Sequence, residues 1–207
     1  MKLILGSDMS FLVKYGYDLT GIPKADLRIG YVTTGIKGAR TKEFFENVER
    51  QIVESGYTFE VFDIEGKSAE EMRSFFSDKN VIHIEGGNTF YLLKAIRETC
   101  FAEVLDELLK EGKVYIGTSA GSYIMCPSIE VADWDETGKS RFGMTDFTAL
   151  NYVPFVLKVH YKDEKEETVR EKMKTVHFPL RLLRDGQGIL VDNGKSTFIG
   201  DGEETVL

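Results

Sequence analysis

The chain has 207 residues, 42% hydrophobic and 29% charged, the make-up of an ordinary globular protein rather than a disordered or fibrous one. A chain of this length is expected to form one domain, residues 1–207, and to bury roughly 70% of the surface its unfolded form exposes. With a net charge of -8 and a pI of about 5.1 its field repels polyanions, so nucleic acid and anionic membranes are not expected partners, and no apolar run reaches the ~18–20 residues of a membrane span.

In chain order, Met1-Lys2-Leu3-Ile4-Leu5-Gly6 is too short an apolar stretch for a signal peptide and lacks a small-residue cleavage site; residues 3–5 read as a first buried strand. Further short apolar runs that suit buried strands fall at 27–32, 59–62, 81–84, 114–116 and 189–191. Helical spacing lies between several of them. Residues 42–53 carry Phe44, Phe45, Val48 and Ile52 on one face, and Ser68 with Glu71 forms a capping-box signature ahead of 69–76. A third helical stretch runs from Thr89 to about Leu109, with a break near Thr99-Cys100. Alternating strands and helices with near-continuous apolar strands predict an α/β fold, a mostly parallel sheet with helices on both faces. Cys100 and Cys126 are far apart and in no metal-ligand or disulfide pattern, so both are expected to be buried free thiols in a reducing cytoplasm.

Parallel sheets place their sites at the carboxyl ends of strands, which directs attention to the residues after Ile84 and Ile116. Ile84-Glu85-Gly86-Gly87-Asn88-Thr89-Phe90 offers free backbone N–H groups beside the sheet end, as a glycine-rich oxyanion loop does; a plain turn with Asn88 or Thr89 as helix cap satisfies the same residues. In Val114-Tyr115-Ile116-Gly117-Thr118-Ser119-Ala120-Gly121-Ser122, a buried strand ends in Gly-x-Ser-x-Gly and runs into a helix. A nucleophile elbow needs small flanking residues because strand and helix approach closely, and Gly117, Ala120 and Gly121 supply them. A tight turn with Ser119 as helix cap is the alternative, and Ser122, inside the helix, is the competing hydroxyl. Of three histidines, His83 lies in an apolar strand and reads as core, and His177 sits at a charged helix end. His160 ends the mainly apolar run 153–159 and is the best candidate base.

Taken together these parts resemble the aspartyl dipeptidase (peptidase E) family of serine peptidases, which includes the cyanophycinases. Four segments carry the resemblance: Gly86-Gly87-Asn88-Thr89-Phe90, Gly117-Thr118-Ser119-Ala120-Gly121 with Cys126-Pro127 following, Leu150-Asn151 through Pro154 to His160, and Leu183-Arg184-Asp185-Gly186. It implies a fold like that of the class I glutamine amidotransferases, with serine in place of their cysteine. It also implies a triad in the order Ser119, His160, Asp185, and oxyanion donors from the N–H groups of Ala120 and the Gly86-Gly87 loop. Asp185 stands where the family usually has a glutamate. Asp133 and Asp135 are alternative acids, lying one residue out of register with an aspartate found in some members. Asn88 and Arg170 are the substrate-binding candidates. Arg170 falls near the family's aspartyl-reading arginine, but in 164–170 it reads as a solvated charge among Glu and Lys, and the aspartyl preference does not carry over.

The expectation is a cytoplasmic serine peptidase acting on small peptides through an acyl-enzyme, with no metal or organic cofactor implied and a homodimer left open. An α/β-hydrolase-type esterase would instead take its acid from between Ser119 and His160, where Asp133, Asp135 and Asp146 lie. A non-catalytic binding protein of the same fold would bury Ser119 or leave it without a histidine.

Overall fold

The computed structural model describes residues 1–39, 43–135 and 141–207, and for 43–48 and 135 the backbone alone. Phe44, Phe45 and Val48 therefore lie outside the described side chains.

The sheet follows from residue-by-residue alternation in strands that are buried on both sides. In β1 (Lys2–Gly6), β2 (Ile29–Val32), β4 (Val81–Ile84) and β5 (Val114–Thr118) essentially every residue is buried. Successive side chains point to opposite faces. Leu3, Leu5, Val32, Ile82, Ile84 and Tyr115 thus enter one apolar cluster, while Ile4, Ile29, Tyr31, Val81, Val114 and Ile116 enter a second. The first cluster is closed by α3 (Ala69–Phe76), α4 (Thr89–Glu98) and α5 (Phe101–Lys110). The second is closed by α1 (Met9–Phe11), the helical turn after it, and Ile52 of α2 (Glu43–Glu54). Two dry faces require two layers of helix, as the sequence predicts.

Local signals set the helix ends. Ser68 and Glu71 form the reciprocal capping box at the start of α3. The Asn88 side chain accepts from the Tyr91 N–H and caps α4. The predicted break at Thr99-Cys100 separates α4 from α5, with Thr99 Oγ1 turned back onto the Ala95 carbonyl at 2.9 Å. Cys126 is buried, but Cys100 is exposed at this junction, contrary to the expectation for both thiols, because it falls in the turn rather than on an apolar helix face.

The seven-stranded sheet has the order β3-β2-β4-β5-β1-β8-β9, where β3 is Phe59–Phe62, β8 Gly188–Asp192 and β9 Lys195–Ile199. The first five are parallel, and β8 and β9 run antiparallel at one edge. The beginning of β8 consequently lies at the carboxyl edge of the parallel strands, with Gly188 opposite Gly6. A separate parallel pair, β6 (Val156–Lys158) and β7 (Leu180–Leu182), stands beside that edge. No helix among the described residues is long and apolar enough to cross a membrane.

Candidate active site

Between β5 and the single turn α6 (Ala120–Tyr123), Ser119 adopts φ 48° and ψ -104°, a conformation costing a non-glycine residue about 1–3 kcal/mol. Its surroundings hold it there. The Ser119 N–H donates to the Gly6 carbonyl at 3.1 Å, and its own carbonyl accepts from Ser122 and Tyr123. A Cβ on Gly117 would lie 2.5 Å from the Gly121 carbonyl, and one on Gly121 would lie 2.1 Å from the Ile84 oxygen, so strand and turn meet at a distance only glycine allows. Ser122 is buried, its Oγ 2.8 Å from both the Gly6 and Gly117 carbonyls, where it ties strand to turn rather than facing a substrate. Because α6 is one turn long, its dipole adds little. What it offers is the Ala120 N–H, which has no partner among the described residues.

His160 follows β6 and, like Ser119, has a positive φ, 53°. Its Nε2 stands 3.1 Å from Ser119 Oγ, and its Nδ1 stands 2.6 Å from Asp185 Oδ1. A proton on Nδ1 donated to the carboxylate leaves Nε2 as acceptor for the serine hydroxyl. The hydrogen bond from His160 holds Asp185 below the ordinary carboxylate range, so the acid stays ionised. The β6–β7 pair brings the two loops together: the Leu183 N–H donates to Lys158 and the Tyr161 N–H to Leu183, each at 2.9 Å.

Ser7 completes this line and was not anticipated from the sequence. It is fully buried just past β1; its Oγ accepts from the His160 N–H at 2.9 Å and lies 3.3 Å from Asp185 Oδ1. One hydroxyl thus touches the base's backbone and the acid's carboxylate. The only hint in the sequence is position, since Ser7 directly follows a strand of the sheet at its carboxyl end.

The other candidates lie elsewhere. Asp133 accepts from both Nε and Nη2 of Arg141 and does not pair with His160, and the side chain of Asp135 lies outside the described residues. Arg170 is exposed on α7 (Glu166–Met173) and bonds Glu166 one turn back at 2.8 Å. Asp146 pairs with Arg97. His177 is exposed beyond α7. Burial holds His83 neutral, with a pKa of about 3, and raises the Cys126 thiol to about 12, leaving neither suited to accept a proton or attack near neutrality.

In the glycine loop, a Cβ on Gly86 would sit 3.3 Å from Ser119 Cβ, so this backbone lies directly against the serine. The Gly86 N–H is taken by the Glu85 carboxylate at 2.6 Å. The Gly87 N–H has no partner among the described residues, and its φ of 120° together with contact against Gly35 admits no side chain.

A serine, histidine and carboxylate in one hydrogen-bonded line, beside open N–H groups at the carboxyl edge of a mostly parallel α/β sheet, is the arrangement of serine hydrolases. Residues 22–202 match the model of peptidase family S51, and the chain belongs to that family of peptidases. It is similar to an uncharacterized peptidase of Pasteurella multocida, 28% identical over 93% of this chain and 94% of that one. An uncharacterized peptidase of Listeria monocytogenes is 31% identical over 70% of this chain and 73% of its own. Peptidase E of Escherichia coli is 29% identical across 58% of this chain and 55% of its own length. A Listeria monocytogenes crystal structure provisionally assigned as a peptidase E protein superposes with a TM-score of 0.81 at 22% identity, covering 97% and 98% of the two chains. A peptidase from an acI-B1 actinobacterium gives 0.71 at 14% identity over 97% and 87%. These last two speak to the fold.

Proposed function

We infer that the chain is a cytoplasmic serine peptidase cleaving small peptides through an acyl-enzyme, with Ser119 as nucleophile, His160 as base and Asp185 as acid. The observation that carries this is the continuous line from Ser119 Oγ through His160 to Asp185, with contacts of 3.1 and 2.6 Å. His160 Nε2 takes the hydroxyl proton as Oγ attacks the peptide carbonyl, then returns it to the leaving amine; water repeats the attack on the ester. Asp185 keeps the proton on Nδ1 and stabilises the imidazolium. The N–H groups of Gly87 and Ala120 are the donors for the developing oxyanion, while that of Gly86 is engaged by Glu85. The acid lies after the histidine in the chain, the reverse of the order an α/β-hydrolase esterase requires. Arg170, paired with Glu166 on an exposed helix face, gives no support to an acidic side-chain preference.

The test is hydrolysis of a dipeptide library by wild type and Ser119→Ala. The variant is expected to fold and to lose roughly 10⁴-fold or more in kcat on whichever dipeptides wild type cleaves. Retained activity in the purified variant removes Ser119 from the chemistry.

A further inference from the structure

Beneath the elbow lies a polar cluster that the triad chemistry does not use. Glu85 is 3% exposed and directly precedes the glycine loop. Its Oε1 accepts from the Gly86 N–H at 2.6 Å and from Thr118 Oγ1 at 2.9 Å; its Oε2 accepts from the Tyr31 hydroxyl at 2.7 Å. His83 completes the set. Its Nδ1 is 3.1 Å from the Tyr17 hydroxyl and its Nε2 3.4 Å from Thr118 Oγ1. The directions are mutually consistent. Tyr17 donates to Nδ1, Nε2–H donates to Thr118, and Thr118 donates to Glu85, so the carboxylate receives three hydrogen bonds and needs to give none.

The two residues that meet on Oε1 belong to different segments of the active site. Thr118 immediately precedes the nucleophile, and Gly86 immediately precedes the Gly87 N–H. The two segments also touch through Gly86 and Ser119 themselves. An oxyanion hole made of N–H groups from two loops works only if the loops keep a fixed separation, because its advantage over water is preorganisation. A buried apolar residue at 85 would take the acceptor from three donors at once, the Gly86 N–H and the O–H groups of Thr118 and Tyr31.

The geometry points to Glu85 as a positioning residue whose single oxygen Oε1 clamps the glycine loop to the nucleophile turn and so sets the oxyanion hole of the proposed peptidase. This rests on the reading of Ser119 as nucleophile. Glu85 touches no reacting atom and acts in the step where negative charge develops, so its loss lowers the rate of that step and not the binding that precedes it.

The experiment measures inactivation by a fluorophosphonate, separating kinact from KI, for wild type, Glu85→Ala, Glu85→Gln and Thr118→Val. Phosphonylation of a serine builds the same kind of charged oxygen as acylation. Glu85→Ala is expected to lower kinact by about tenfold to a hundredfold with KI within about twofold. Glu85→Gln retains an amide oxygen able to accept both hydrogen bonds and is expected to recover to within about fivefold of wild type. Thr118→Val, which removes one of the two clamp contacts, falls between. If Glu85→Ala is recovered only unfolded, the ranking of Glu85→Gln above Thr118→Val decides. A folded Glu85→Ala with wild-type kinact overturns the inference alone, as does Thr118→Val at or above Glu85→Gln. Failure of the probe to label wild type at Ser119 removes the nucleophile reading and the inference with it.

Discussion

The short side chain of Asp185 reaches His160 Nδ1 at 2.6 Å from a turn whose backbone is held on both sides. Three contacts do this. The Gly186 N–H donates to Asp8 Oδ1 at 2.9 Å, the Gln187 side-chain oxygen accepts from the Arg184 N–H at 2.8 Å, and the Ser7 N–H holds the Gln187 carbonyl at 2.9 Å. Replacing the acid by its isosteric amide leaves the shape but favours the wrong imidazole tautomer. Asp185→Asn is therefore expected to lose up to about 10⁴ in kcat. Asp133→Asn, at a carboxylate committed to Arg141, is expected to stay within about threefold of wild type in the same assay; the opposite ranking moves the acid to Asp133. Ser7→Ala removes the hydroxyl shared by the His160 backbone and Asp185, leaving the partly buried His160 N–H without its acceptor. The expected result is roughly a tenfold lower kcat at unchanged KM. A wild-type kcat would mean that Ser7 merely fills space.

Strand β4 bears an imidazole in a position no water reaches, which makes it a source of pH dependence for the fold. Burial depresses the His83 pKa to about 3, below the ordinary imidazole value of about 6.5. Between those values the unfolded chain takes up a proton that the folded chain refuses, so stability falls as pH drops through that window, by up to about 1.4 kcal/mol per pH unit. Burial raises Glu85, which gives the opposite slope just above the ordinary carboxylate range; that contribution is common to wild type and a His83 variant. Urea unfolding from pH 7 down to about pH 5 should show a shallower loss for His83→Gln than for wild type. Equal slopes would mean that His83 is protonated inside the fold. The wholly buried strands and capped helices were legible because pattern and propensity agree: residues 69–76 and 81–84 fall at the expected bounds, while 59–62 form the expected strand but at the sheet edge, with Glu60 and Val61 exposed rather than buried. Strand β6 lies within the apolar run 153–159 that marked His160 as standing at a strand end, whereas the three-residue strand β7 and the edge strand β9 with its half-exposed Lys-Ser-Thr-Phe-Ile carry too little apolar periodicity to announce themselves. The contacts of Ser7 were hidden for another reason. Its partners are 153 and 178 residues away in the chain, and nothing local encodes such a meeting.

At the scale of the whole molecule, the sheet order explains how four distant segments converge. Neighbouring β4, β5 and β1 deliver the glycine loop, Ser119 and Ser7 to one edge, and the antiparallel β8 brings Asp185 to that same edge from the other direction. The pair β6–β7 then carries His160 between Ser119 and Asp185. Membership of peptidase family S51 accords with this convergence, and a relative similar over nearly the full chain is named a peptidase as well. The measurement that bears most directly on Ser119 as nucleophile is mass-spectrometric mapping of the adduct after treatment with a fluorophosphonate. One adduct per chain is expected, on the peptide containing Ser119, and none in Ser119→Ala or after acid unfolding. An adduct on Ser122, or equal labelling of Ser119→Ala, would contradict it.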